Sequence, residues 1–351
     1  MRSALKTETL RVGLLSFAHR YHATSYTRVL TQTPGVEVAA IYDDDPDRGQ
    51  TFARQFGVPD FYATPDALLT RDDIQAVVVC APTNQHAPLT IAAARAGKHV
   101  LCEKPIATTL NDARAMIEAC RVNGVQLHLA FVCRFYPMVQ KAKAMIASGE
   151  IGSVRGILGG NRGTRPTDSP PWITDPVQAG GGALIDHSVH VTDAMRYVLG
   201  SEVESVFAET GRLIRPELSV EDCAQLLIKF RNGATASVDP SWSISSHNPY
   251  HYDFYLHILG AEGWLSIDDR RQALNVVSEA AADRNHYLEP FGAAADVDAA
   301  MVRHFLQCIR QGEATPPYAS GEDGLRALEI ALAAYQSALL GQPVPLEMET
   351  P

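Results

Sequence analysis

The 351-residue chain is 46% apolar and 20% charged, close to the average of soluble globular proteins, which excludes wholesale disorder and a fibrous repeat. At roughly 100 to 200 residues per domain, its length provides for two domains. Forty acidic against 30 basic residues give a formal charge of -10, which argues against a general nucleic-acid binder, whose surface must be cationic to displace counterions from phosphates.

The six cysteines, Cys80, Cys102, Cys120, Cys133, Cys223 and Cys308, show neither a paired framework nor a zinc-type CxxC spacing, so a reducing intracellular compartment is expected. No apolar run approaches the ~20 residues that span a bilayer. The expectation is therefore a cytoplasmic protein with neither a membrane nor a nucleic-acid partner.

In chain order, short apolar runs first alternate with helical periodicity. LRVGLL (10–15), VEVAAIY (36–42), AVVVC (76–80), HVLCE (99–103) and VQLHLAF (125–131) read as strands. Helices are predicted from near His22, from Asp47, from His86 and from Leu110, with Gly57, Gly97 and Gly124 at their C-terminal caps. Continuously apolar strands joined by helices indicate a parallel sheet covered on both faces, so residues 1–131 are expected to form a doubly wound, Rossmann-type dinucleotide-binding domain.

Beyond that point VRGILGGNR (154–162), DCAQLLIKF (222–230), ATASVDPSW (234–242) and YDFYLHILG (252–260) read as strands. Asn232-Gly233 suits a type I′ hairpin turn, and Glu262-Gly263 marks a second turn. Strands joined by tight turns are antiparallel, so residues 132–351 are expected to be an α+β domain with a largely antiparallel sheet, serving substrate binding and oligomerisation. The stretch EDGLRALEIALAAYQSALLG predicts a closing helix.

After the first strand, a dinucleotide-binding domain turns through glycines so that a pyrophosphate can approach a helix N-terminus. Here the turn runs Gly13-Leu14-Leu15-Ser16-Phe17-Ala18-His19-Arg20, with Ser16 and Ala18 where glycines are expected. Gly13, Ser16, Phe17, Ala18 and Arg20 are the cofactor-binding candidates, whereas His19 reads as an exposed loop residue. The second strand ends in Asp43-Asp44-Asp45, and a carboxylate there binds ribose hydroxyls and repels a 2′-phosphate, which favours NAD over NADP. Asp43 is the ribose candidate; Asp45 suits a helix cap.

The segment APTNQHAPLTIAAARAGKHVLCEKPIATTLNDA (81–113) resembles the glucose-fructose oxidoreductase, inositol dehydrogenase and rhizopine-catabolism (Gfo/Idh/MocA) family, with its Pro-x-x-x-His, Ala-Gly-Lys-His-Val and Glu-Lys-Pro elements. The likeness continues through Arg134-Phe135-Tyr136-Pro137, Ser148-Gly149-Glu150-Ile151-Gly152 and the Gly180-Gly181-Gly182 stretch up to His190. The resemblance implies that Lys104 is the catalytic lysine, that Asp186 and His190 complete the active site with it, and that Ala81, Pro82, Asn84, His86 and Glu103 line the cofactor pocket. It also implies a homodimer or homotetramer.

Asp186 and His190 are four apart and share a helix face. An imidazole can take a hydroxyl proton as hydride leaves, a carboxylate can grip that hydroxyl, and an ammonium can stabilise the developing alkoxide. The division of the proton role between Lys104 and His190 stays open. No HExxH or cysteine pair accompanies Asp186, His187 and His190, so no metal is expected.

The substrate-binding candidates are Arg134, Trp172, His187 and Tyr250, with Arg162 as a further pocket arginine. The stretch Ser241 to Tyr252 mixes aromatics and hydrogen-bonding groups, which suits a polyhydroxylated ligand and equally a strand edge or subunit interface. The implied activity is NAD-dependent hydride transfer at a secondary alcohol or ketone of a sugar, polyol or glycoside. Glycoside cleavage through transient oxidation and elimination, and a non-catalytic sensor or scaffold that has lost its cofactor, are the alternatives.

Overall fold

The computed structural model describes residues 9–164, 171–245, 247, 252–270, 273–278, 286–290 and 296–347. The chain forms two compact units, one of residues 1–130 and 298–322, the other of residues 131–297 and 323–351.

The first unit runs β1 (Leu10–Leu15), α1 (Arg20–Gln32), β2 (Val36–Tyr42), α2 (Pro46–Phe56), β3 (Asp60–Tyr62), α3 (Pro65–Leu69), β4 (Ala76–Val79), α4 (His86–Arg95), β5 (His99–Cys102), α5 (Leu110–Val122) and β6 (Leu127–Leu129). Its six strands are parallel in the order β3-β2-β1-β4-β5-β6. Val12, Leu14, Val77 and Val78 are wholly buried, as the apolar runs require of strands covered on both faces. The strand order reverses between β1 and β4, the switch point outside whose carboxyl ends such sheets bind ligands.

The division is not a single cut. Residues 298–322, which hold most of the later helix Val297–Gln311, pack with the first unit. There Leu129 N donates to Ala319 O at 2.9 Å, and the His128 ring lies 5.0 Å from the rings of both Phe305 and Tyr318.

The second unit continues with α6 (Pro137–Ala147), β7 (Val154–Thr164), α7 (Pro176–Ala179), α8 (Ala183–Leu199), β8 (Val203–Gly211), β9 (Cys223–Phe230), β10 (Thr235–Ile244), β11 (Tyr252–Gly260), β12 (Gly263–Asp268), β13 (Ala273–Ser278) and β14 (His286–Pro290). After α9 (Val297–Gln311) come α10 (Gly321–Leu340) and β15 (Val344–Pro345). Its nine strands take the order β14-β13-β12-β11-β7-β10-β9-β8-β15, with β7 and β10 parallel and the other described pairings antiparallel. The Asn232-Gly233 hairpin joins β9 and β10, with Gly233 at φ 88°.

Helix α8 packs on β7 and β10, and small residues let it do so. A Cβ at Gly159 would strike Met195, Leu256 and Val191; one at Gly163 would strike the His187 ring. The turn before α8 is equally crowded, since a Cβ at Gly182 would meet the Glu221 carbonyl and one at Gly181 the Tyr335 hydroxyl. The Glu221 carboxylate accepts from Gly182 N at 2.9 Å and Leu184 N at 3.0 Å, so an anion caps the helix's positive end.

Candidate active site

Ser16 adopts φ 74°, the left-handed conformation that a glycine would take in this turn. Its Oγ accepts from Ala18 N at 3.1 Å. Phe17 is buried, its ring stacked on Phe52 with centroids 4.1 Å apart, and its N–H donates to Asp43 Oδ2 at 2.7 Å. Asp43 is wholly buried and also accepts from Asp45 N at 2.9 Å and from Arg48 Nε at 3.0 Å and Nη2 at 2.6 Å. Rather than facing a ribose, the Asp43 carboxylate ties the turn to the end of β2. Asp44 is the exposed carboxylate there, accepting from Arg48 Nη2 at 2.7 Å.

Gly13 is buried in β1, where a Cβ would crowd Leu68. Arg20 is exposed at the first position of α1, its guanidinium 6.0 Å from the Phe52 ring centroid. His19 is not an exposed loop residue: it is the half-buried N-cap of α1, and its ring stacks on His22 at 4.1 Å.

After β4, Ala81 is buried and Pro82 leads into a short turn. Among the described residues, the buried Oδ1 of Asn84 has no hydrogen-bond partner. The His86 ring lies 2.8 Å from Pro105 O through Nδ1 and 3.0 Å from Ala81 O through Nε2, so it clamps the loops after β4 and β5 together. Burial pushes the His86 imidazole below its ordinary value, against the pull of those carbonyls.

Glu103 and Lys104 follow β5 directly, and both are buried. Glu103 Oε2 accepts from Lys104 N at 3.2 Å, and Oε1 lies 3.0 Å from His22 Nδ1. Burial opposes ionisation of Glu103, yet the adjacent His22, His19 and Lys104 charges prevail and hold its carboxyl well below the usual range.

A dinucleotide fits these surroundings. Helix α1 begins without a side-chain cap and without an acidic residue in its first turn, so its positive end is available to an anion, and Asn84 offers an unsatisfied acceptor nearby in the fold's ligand edge.

In the second unit, Asp186 and His190 stand on one face of α8, as their spacing predicts. Trp242 Nε1 donates to Asp186 Oδ2 at 3.2 Å. His187 lies beside Asp186, with Nε2 3.4 Å from Oδ2, and its Nδ1 is 2.7 Å from Asn161 Oδ1. His190 is buried, 6.1 Å from the Phe131 ring in an edge-on contact. Trp242 lay within the aromatic stretch that the sequence marks out; nothing in the sequence singles out Asn161.

Arg134 is placed differently from the substrate contact expected of it. Its guanidinium is buried, donating to Asp193 through Nε at 2.8 Å and Nη2 at 2.6 Å and pairing with Asp323 at 2.8 Å. Those carboxylates neutralise it inside the unit. Arg162 pairs with Asp253, donating to its Oδ2 from Nε at 3.1 Å and from Nη2 at 2.6 Å. Trp172 is half-buried in a single helical turn, Pro171–Thr174. Tyr250 lies outside the described residues.

Family models match in both units: residues 11–131 match the oxidoreductase family with an NAD-binding Rossmann fold, and residues 139–266 the GFO/IDH/MocA C-terminal domain. The chain is 32% identical to the myo-inositol 2-dehydrogenase of Thermotoga maritima, covering 96% of this chain and 99% of that protein. It is 29% identical to the scyllo-inositol 2-dehydrogenase (NAD(+)) of Bacillus subtilis, covering 99% and 98%. The solved structure of levoglucosan dehydrogenase with NADH and levoglucosan superposes with a TM-score of 0.84 at 27% identity, over 97% of this chain and 100% of that one. With one family model on each half of the sequence and relatives matched along their full length, the chain belongs to the Gfo/Idh/MocA family of oxidoreductases.

Proposed function

We propose that the chain is an NAD-dependent dehydrogenase or reductase acting on a secondary alcohol or ketone of a sugar or polyol. The observation that carries this reading is Lys104, which follows β5 at the edge where open α/β sheets bind ligands, in a chain related along its whole length to inositol dehydrogenases.

The uncapped end of α1 and the left-handed turn at Ser16 would hold the pyrophosphate, and Asn84 would bond to the nicotinamide half. Asp44, exposed at the end of β2, is the carboxylate left for the ribose and disfavours a 2′-phosphate. NAD supplies the hydride acceptor. Lys104 holds the substrate oxygen as charge develops on it, His190 takes the hydroxyl proton, and Asp186, oriented by Trp242, fixes that hydroxyl.

The exposed leucines of the second sheet support a homo-oligomer, and six free thiols support a reducing, cytoplasmic location. Lys104→Met keeps length and volume while removing the charge. Turnover on a responsive sugar or polyol should fall by about 10²-fold or more, with NADH binding, followed by its fluorescence, kept within a few-fold. Undiminished turnover in that variant would sink the assignment.

A further inference from the structure

We propose that His19, His22 and Glu103 form a binding site for a divalent first-row transition metal of the zinc type, a property beyond the dehydrogenase reading. Each residue offers one ligand atom, and the three atoms lie within 4.8 Å of one another. His19 is the N-cap of α1, His22 lies in its first turn and Glu103 directly follows β5, so one helix start and one strand end carry the whole set.

The donor chemistry is specific. Two imidazoles and one carboxylate form a set that first-row divalent cations accept in open sites, leaving further positions for water or a ligand oxygen. Glu103 is almost wholly buried and its Oε1 faces the histidines. Although Oε1 is 3.0 Å from His22 Nδ1, that contact lacks hydrogen-bond alignment, and neither atom has another hydrogen bond among the described residues. A carboxylate oxygen left without a hydrogen bond inside the fold, facing two imidazoles, is a suitable ligand atom for such a cation. The 3.0 Å separation is close to the edge of a zinc coordination tetrahedron, about 3.3 Å for ligand bonds near 2.0 Å.

The third ligand requires a small movement. The His19 and His22 rings are parallel within 2°, so their in-plane lone pairs run side by side instead of meeting. Rotation of the half-buried His19 ring toward the His22–Glu103 edge brings the third donor in. The other two ligands need no such change: the carboxylate is fixed by Lys104 N and by burial.

The test uses the full-length protein, stripped with chelator and titrated with Zn²⁺ and, in parallel, with Co²⁺. One equivalent should bind per chain, Co²⁺ should give the intense visible absorption of a low-coordinate nitrogen and oxygen site, and the thermal midpoint should rise with metal concentration. Replacing either ligand, as His19→Ala or His22→Gln, should weaken Zn²⁺ binding by more than the ~10–100-fold that loss of an outer-shell partner costs. Anomalous diffraction at the zinc edge locates the ion without any variant and so decides the matter even where a variant does not fold. Absence of stoichiometric binding, binding unchanged in both variants, or an ion found away from these three side chains would each overturn the proposal.

Discussion

A serine in the left-handed region is strained by its Cβ at a cost of about 1–2 kcal/mol, and Ser16 sits there at φ 74° because the turn after β1 must reverse within a few residues. Its hydroxyl offsets part of that by accepting from Ala18 N. Ser16→Ala and Ser16→Gly both remove the hydroxyl, so the difference between them isolates the backbone strain. After allowance for the glycine's greater unfolded-state freedom, the glycine variant should be more stable by roughly 0.5–1 kcal/mol, the reverse of the usual order. Denaturant unfolding of the pair measures it, and an alanine variant as stable as the glycine one would disprove the strain. At this scale the sequence discloses which residues occupy the turn but not where their groups point. Asp43 turns inward because Arg48, in the first turn of α2, folds back over it and because Phe17 N needs an acceptor once the phenyl ring is buried. Arg134 turns inward because Asp193 and Asp323 meet it there, and pairing with a residue almost two hundred positions away leaves no local pattern.

Elements are more legible than side chains. The apolar runs 10–15, 36–42 and 252–260 coincide with β1, β2 and β11, since alternation and continuity of apolar residues record directly which faces are covered. The three-residue strand β3 and the strands β13 and β14 have too short or too mixed a pattern to be read. Strand β6 shows what periodicity omits altogether: its inner histidine is buried by chain that returns much later. Burial, reinforced by His304 and His99, pushes His128 down to about 3 from an ordinary 6.5. Between these values the unfolded chain binds a proton that the folded chain refuses. The stability contributed by keeping His128 neutral is therefore complete above about pH 6.5 and is lost as pH falls toward 3. His128→Gln removes this titration and some ring packing, so it should be less stable at pH 7 yet decline less steeply in acid, by up to ~1.4 kcal/mol per pH unit. Urea midpoints taken from pH 7 to pH 4 provide the comparison, and parallel curves for the two proteins would contradict it.

At the scale of the whole chain, the ordered succession of motifs from Pro82 to His190 is enough to read the oxidoreductase family. The return of residues 298–322 to the first unit was not readable, because amphipathicity tells that α9 buries one face and not what it buries it against. The same limit applies to the face of the nine-stranded sheet opposite α8, where pattern alone allows either solvent or a partner. Leu158, Leu227 and Leu259 are 58%, 54% and 56% exposed there, on β7, β9 and β11, and Ser237 on β10 stands directly between the first two. Leucines on three of four adjacent strands form an exposed apolar patch of the kind that marks an interface, and removing each from water contributes up to about 1.5–3 kcal/mol. A second copy of the chain is the partner proposed, and in a two-fold interface every substitution acts twice. Leu227→Glu combined with Leu259→Glu should therefore lower the mass measured by light scattering to that of a single chain, while the circular dichroism stays unchanged because both sites are exposed within the chain. A wild-type protein that is monomeric at every concentration, or a variant whose assembly is unaltered, would remove this face as the site of association.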